Sequence, residues 1–105
     1  MVQRKNRNIE IARNFKKNIK GIKISKFLLF GSRAKGEEKR DSDFDIIVVS
    51  EDFKGKRWNR RPLEVYLSWN ENKPLELLCY TPKEFNQLKN KITIVREAVK
   101  EGIEI

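Results

Sequence analysis

Apolar residues fall along this chain in short runs separated by charged stretches, and the spacing within each run distinguishes helix from strand. Ile9, Ala12, Phe15 or Lys16, and Ile19 recur at roughly helical intervals, with Lys and Arg on the other faces. This predicts a first helix to about Lys20, ended by Gly21. The run KFLLF at 26–30 stops at Gly31 and reads as a buried strand. Residues 32–41 are polar and basic, with Gly36 inside, which predicts a turn and a short helix. Residues 43–49 (DFDIIVV) form the second expected strand; its unbroken apolar stretch predicts burial on both faces, in a central sheet position.

Residues 51–61 are charged and carry Gly55, so the chain is expected to leave the core there. Beyond Pro62, Leu63, Tyr66, Leu67 and Trp69 suggest a short amphipathic helix, which ends before Pro74. LELLCY at 75–80 reads as a third strand. Thr81-Pro82-Lys83-Glu84 combines a capping hydroxyl, a proline at the first helical position and a capping-box glutamate, so a helix should run on through Phe85 and Leu88. A last helix from about Thr93 to Glu101 carries Ile94, Val95, Ala98 and Val99 and closes at Gly102; residues 103–105 are a candidate edge strand. The order α-β-α-β-α-β-α indicates an α/β sheet domain.

Composition narrows this picture. At 105 residues the sequence has room for one folded domain, 1–105. Hydrophobic residues make up 38% and charged residues 37%, and the clustering of the apolar ones argues for a folded core under a charged surface. The net charge of +9 is unevenly placed: residues 1–40 hold 13 Lys and Arg against 3 Asp and Glu, whereas residues 41–105 hold 11 against 12. The basic half would attract phosphates or an acidic partner, or else is simply a solvated helix face. Histidine is absent, which excludes Ser-His and Cys-His nucleophilic catalysis and most zinc sites. The single cysteine, Cys79, can form no internal disulfide and is expected to be a buried, inert thiol. No apolar stretch is long enough to span a bilayer and the first residues show no signal-peptide core, so a cytoplasmic location is expected.

The candidate chemistry sits in LFGSRAKGEEKRDSDFDIIVV, residues 29–49. Side chains two apart on a strand share a face, so Asp43 and Asp45 project together while Phe44 turns away. Carboxylates so placed repel unless a cation joins them, and hard oxygen ligands suit Mg²⁺. Alone, the pair reads more readily as two solvated acids at a strand start. Gly31 allows close backbone approach, and Ser32 adds a hydroxyl and an N–H; if it opens a helix, its amides can receive a phosphate. The spacing is not that of a Walker loop. Arg33, Lys35 and Arg40 add cations. A phosphate cradle beside paired carboxylates is what metal-assisted phosphoryl or nucleotidyl transfer needs. Two metals call for a further carboxylate. Glu76, the acid inside LELLCY, is the first candidate and Glu64 the fallback; the alternative for Glu76 is an edge strand on which it faces water.

GSRAKGEEKRDSDFD resembles the G-S-x₁₀-D-x-D signature of the DNA polymerase beta-like nucleotidyltransferase superfamily. PLELLCYTPKEF is similar to the third-carboxylate strand and following helix of its small members, the minimal nucleotidyltransferases (MNT). The resemblance runs from about Phe27 to Gly102. It implies a nucleotidyltransferase fold with a mixed sheet of three to four strands flanked by helices. It also implies that Gly31 and Ser32 hold a nucleotide triphosphate, that Arg33 contacts phosphate or acceptor, and that Lys35 belongs to the same nucleotide-binding loop. Asp43 and Asp45 would bind two Mg²⁺ ions, and Glu76 would complete the metal site and help deprotonate the attacking hydroxyl. Many members have Asp at the third position; the longer Glu still reaches a metal. Small MNT proteins are commonly paired with a HEPN-domain protein, often as antitoxin to a HEPN ribonuclease, and some move AMP from ATP to a partner tyrosine. The resemblance therefore implies ATP as substrate and a HEPN-type partner. Alternatives are a non-catalytic partner-binding subunit and, less favoured, an RNA- or DNA-binding module. Against the last, Trp58 and Trp69 stand apart rather than interleaved with cations, and read as core or interface.

Overall fold

The two apolar runs flanking Gly31 pair with each other, and everything else is laid against that pair. The computed structural model describes residues 3–91 and 93–105. Strand β1 (Lys26–Phe30) runs antiparallel to β2 (Phe44–Val49), Phe30 opposite Asp45; β3 (Leu75–Tyr80) runs parallel to β2, and the short β4 (Ile103–Glu104) adds antiparallel to β1. The sheet order is β3-β2-β1-β4, so it is mixed and four-stranded, with β2 inside it as its apolar run predicts.

Among the described residues five α-helices flank the sheet: α1 (Arg4–Asn18), α2 (Ser32–Lys35), α3 (Arg61–Tyr66), α4 (Pro82–Leu88) and α5 (Ile94–Glu101). Alternation along the strands splits the core in two. On one face Phe27, Leu29, Phe44, Ile46, Val48, Leu77 and Cys79 meet Ala12 and Phe15 of α1 and Val65 of α3. On the other, Leu28, Phe30, Ile47, Val49 and Tyr80 meet Phe85 of α4 and Val95 and Ala98 of α5. Strand β2 therefore lies between two helical layers. Burial holds the Cys79 thiol up at about 12, so it stays protonated and unreactive.

Local signals are met closely at α4. Thr81 Oγ1 accepts from the Glu84 amide at 3.2 Å and Glu84 Oε1 accepts from the Thr81 amide at 2.8 Å, completing the capping box. Thr93 caps α5, and the Gly102 amide closes it on the Ala98 carbonyl. Helix α1 ends at Asn18, two residues short of expectation; Ile19 is already extended, and Gly21 makes the following turn at φ +76°.

One expectation needs correcting. Leu63, Tyr66 and Leu67 do not form an inward face on α3: Leu63 is 57% exposed and Leu67 85%, while Arg61 and Val65 point in. The reason is a polar anchor. Arg61 donates to both carboxylate oxygens of Glu84, at 2.6 and 3.2 Å, and to the carbonyls of Lys56 and Cys79, and this rotates the helix about that bond network. Trp69, by contrast, is a core residue: its ring packs edge-on between Phe15 and Phe44, and its Nε1 donates to the Lys73 carbonyl at 2.9 Å. Trp58 is half-exposed and packs on Tyr80.

Candidate metal centre

Because β2 and β3 are parallel, they begin at the same end of the sheet, where β1 also finishes. In this register Asp45 pairs with Glu76 and Phe44 with Leu75; Asp43 immediately precedes β2. One carboxylate oxygen from each of Asp43, Asp45 and Glu76 lies within 4.8 Å of the others. Asp43 and Glu76 are exposed and Asp45 is half-buried. The two alternatives for Glu76 thus coincide, since β3 is an edge strand and Glu76 faces both water and the aspartates.

Gly31 follows β1 directly and lies against this group. Its φ is +74°, and a Cβ placed there would collide with Asp45 Oδ2, so glycine is demanded both by the backbone and by space. Ser32 opens α2 behind it, and the first amides of a helix have no intrahelical partner. Gly36 then takes a left-handed conformation, which ends α2 after one turn. Gly31 and Ser32 are therefore brought up to the carboxylates.

The cations of the loop go elsewhere. Arg33 is buried; its Nε and Nη2 donate to the Ser42 carbonyl at 3.3 and 2.9 Å, its Nη1 lies 3.8 Å from Glu38, and its guanidinium covers the Phe44 ring at 4.7 Å. Phe44 points away from Asp45, so Arg33 works from the opposite face of the sheet, clamping the 36–42 loop that delivers Asp43. Lys35 is exposed and ion-paired with Glu101 on α5 at 3.0 Å, which raises its pKa. Glu64 pairs with Lys56 at 3.0 Å and is not part of the acidic group.

Two residues near the site are not expected there from the sequence: Asn8 has no signal in the apolar pattern, and Tyr66 reads only as part of an amphipathic helix. Asn8 is buried on α1 and donates from Nδ2 to the Arg33 carbonyl at 3.0 Å and to Glu38 Oε1 at 2.8 Å, tying α1 to the loop. Its position at i−4 from Ala12 is the one clue, and a polar residue there reads as surface. Tyr66 donates its hydroxyl to the Leu75 carbonyl, and burial together with the charges of Glu76 and Asp43 raises its pKa.

The electrostatics of the three acids favour a cation. Burial first, then the charges of Glu76 and Asp43, push Asp45 up to about 6 from an ordinary 3.8. Among the described residues no cation is ion-paired to Asp43, Asp45 or Glu76. Oxygens around one octahedral Mg²⁺ stand about 3–4 Å apart, given metal–oxygen distances near 2.1 Å. The three carboxylates are hard donors, mutually repelling and close to that spacing, so they fit a divalent ion.

Comparison with known proteins agrees with this geometry. The sequence model of a family described as "Nucleotidyltransferase domain" matches residues 9–101. No curated protein matches the chain. The chain is similar in structure to a Sulfolobus solfataricus protein whose crystal structure was assigned as a nucleotidyltransferase, with a TM-score of 0.65 at 18% identity, covering 95% of this chain and 80% of that one. At that identity the likeness speaks for the fold. Among the described residues no helix is long and apolar enough to cross a membrane.

Proposed function

The chain belongs to the nucleotidyltransferase domain family, and from that premise we propose that it is a Mg²⁺-dependent enzyme moving AMP from ATP to a hydroxyl of a HEPN-type partner protein, so acting as an antitoxin. The observation that carries the reading is the convergence of Asp43, Asp45 and Glu76 within 4.8 Å at the sheet end, with Gly31 packed on Asp45.

Asp43, Asp45 and Glu76 would hold the divalent ions, which when bound supply charge neutralisation at the reacting phosphate. Gly31 and Ser32 present backbone amides at the start of α2 to the nucleotide phosphates. Glu76, exposed at the edge strand, would accept the proton of the incoming hydroxyl as it bonds to the α-phosphorus, and the bond to the β-phosphate would break to release pyrophosphate. Arg33 acts at one remove: by gripping the Ser42 carbonyl it sets where Asp43 emerges. Lys35 reaches a phosphate only if its pair with Glu101 opens.

ATP and the HEPN partner rest on the family resemblance of the motifs. The test is to incubate the purified protein with labelled ATP, Mg²⁺ and the protein encoded beside it. Label should pass to that partner, and the Asp43→Asn/Asp45→Asn variant should transfer none. Equal labelling by the variant, or no labelling at all, overturns the reading; toxin neutralisation that survives in the variant would favour a partner-binding subunit without turnover.

A further inference from the structure

On the face of the sheet opposite Asp45, a cavity of about 490 Å³ is lined by Arg4 of α1, by Arg33, Glu38, Lys39 and Arg40, and by Lys73 just before β3. Its single carboxylate is already engaged: Glu38 accepts from Asn8 Nδ2 at 2.8 Å and faces Arg33 Nη1 at 3.8 Å, beyond hydrogen-bond range. Among the described residues, Arg4, Lys39, Arg40 and Lys73 take part in no ion pair. These cations come from three segments distant in sequence, and folding alone brings them around one concavity. Like charges so gathered repel, and an anion relieves them.

The chemistry of the lining selects the anion. A carboxylate offers two oxygens in one plane, whereas a phosphate offers several acceptor oxygens that can meet guanidinium and ammonium donors arriving from different sides. The volume lies in the range of small-ligand sites and exceeds that of one phosphate group. The floor is rigid, because Arg33 is buried and fixed through Nε and Nη2 on the Ser42 carbonyl, with Nη1 facing Glu38. The next residue after Ser42 is Asp43, so the segment that Arg33 anchors leads directly into the metal centre.

We propose that this cavity is a phosphate-binding subsite, separate from the cradle at Gly31 and Ser32, that takes either a phosphodiester of a nucleic-acid strand or the phosphates of a small molecule. The assignment rests on the cavity and its charges and stands whether or not AMP is transferred.

The test is binding in EDTA, which removes any contribution from bound divalent ions. A fluorescently labelled single-stranded RNA of about twelve nucleotides is followed by anisotropy, and pyrophosphate by calorimetry, both on the full chain. Arg40→Ala/Lys73→Ala is compared with Lys17→Ala/Lys20→Ala, which removes two exposed positive charges at and just beyond the far end of α1. The first variant should lose at least about tenfold in affinity, with the RNA salt slope reduced by about 1.4, at roughly 0.7 per phosphate contact. The second should stay within about twofold. Arg40→Lys/Lys73→Arg, which keeps the charge, should retain most of the binding and exclude a folding defect. A selective loss for RNA assigns the site to a strand, and one for pyrophosphate alone to a small molecule. If neither ligand binds the wild-type chain, if both alanine pairs weaken it equally, or if the charge-keeping variant fails as well, the proposal is wrong.

Discussion

Two charged clusters stand toward opposite ends of β3, and they are built on opposite plans. Toward its end, Arg61 and Glu84 form a bidentate pair in which Arg61 also satisfies the Lys56 and Cys79 carbonyls, and the hydrogen bond from Arg61 holds the Glu84 carboxyl below its usual range. At its start, Asp43, Asp45 and Glu76 face one another with no basic partner among the described residues, and Asp45 is pushed up instead of down. A balanced cluster stabilises what it joins, here α3 to α4. An unbalanced one costs stability and persists only if the surrounding frame holds it, which is how sites for a cation differ from structural ion pairs.

Removing charge should therefore have opposite consequences at the two ends. The largest effect expected is on activity: Asp43→Asn/Asp45→Asn should cut nucleotidyl transfer by roughly a thousandfold or more, since two of the three proposed metal ligands go. The same variant without metal should melt no lower than wild type, because repulsion is relieved. A clear drop in its melting temperature would show that these acids are structural and break the contrast. Next, Arg61→Ala should destabilise by about 2–3 kcal/mol in urea unfolding, less than for a fully buried pair because Glu84 is partly solvated. A loss below about 0.5 kcal/mol would mean that α3 is held by Val65 alone.

Gly31→Ala should cost about 2 kcal/mol, combining the left-handed backbone penalty with displacement of Asp45. It should also weaken Mg²⁺ binding, measured by the metal-induced rise in melting temperature. An unchanged metal response would separate Gly31 from the acidic centre.

The smallest effect is in pH, and its sign differs between the clusters. Asp45 binds its proton more tightly folded than unfolded, so its contribution makes the metal-free protein more stable as pH falls from about 7 through 6 toward 4. Glu84 is the reverse: its stabilisation is present above its unfolded value near 4.5 and is lost as pH drops through the lowered folded value. Mg²⁺ should accordingly raise the melting temperature more at pH 7.5 than at pH 5.5, and Asp45→Asn should flatten that difference. A metal shift independent of pH over this interval would contradict the assignment of Asp45.

Much of this is legible in the sequence, though unevenly. The limits of β1 and β3 match KFLLF and LELLCY residue for residue, and the Thr81 box forms as written, because strand runs and caps depend on neighbours in the chain. The apolar reading of 63–67 failed because a buried arginine, which no hydrophobic pattern marks, decided how α3 is turned. Arg33 and Lys35 sit in the expected motif, but nothing in the motif says that Ser42, Glu38 and Glu101 engage them.

The sequence by itself determined the parts that follow from local stereochemistry: a glycine free to take positive φ at 31, and two aspartates on one strand face by the period of two. The tertiary structure alone decided which distant groups meet those parts. The parallel register of β2 and β3 sets Glu76 beside Asp45, and the packing of α1 on the 36–42 loop gathers Asn8, Arg33 and Glu38. Such meetings depend on how remote segments align, and residue spacing along one segment carries no record of that.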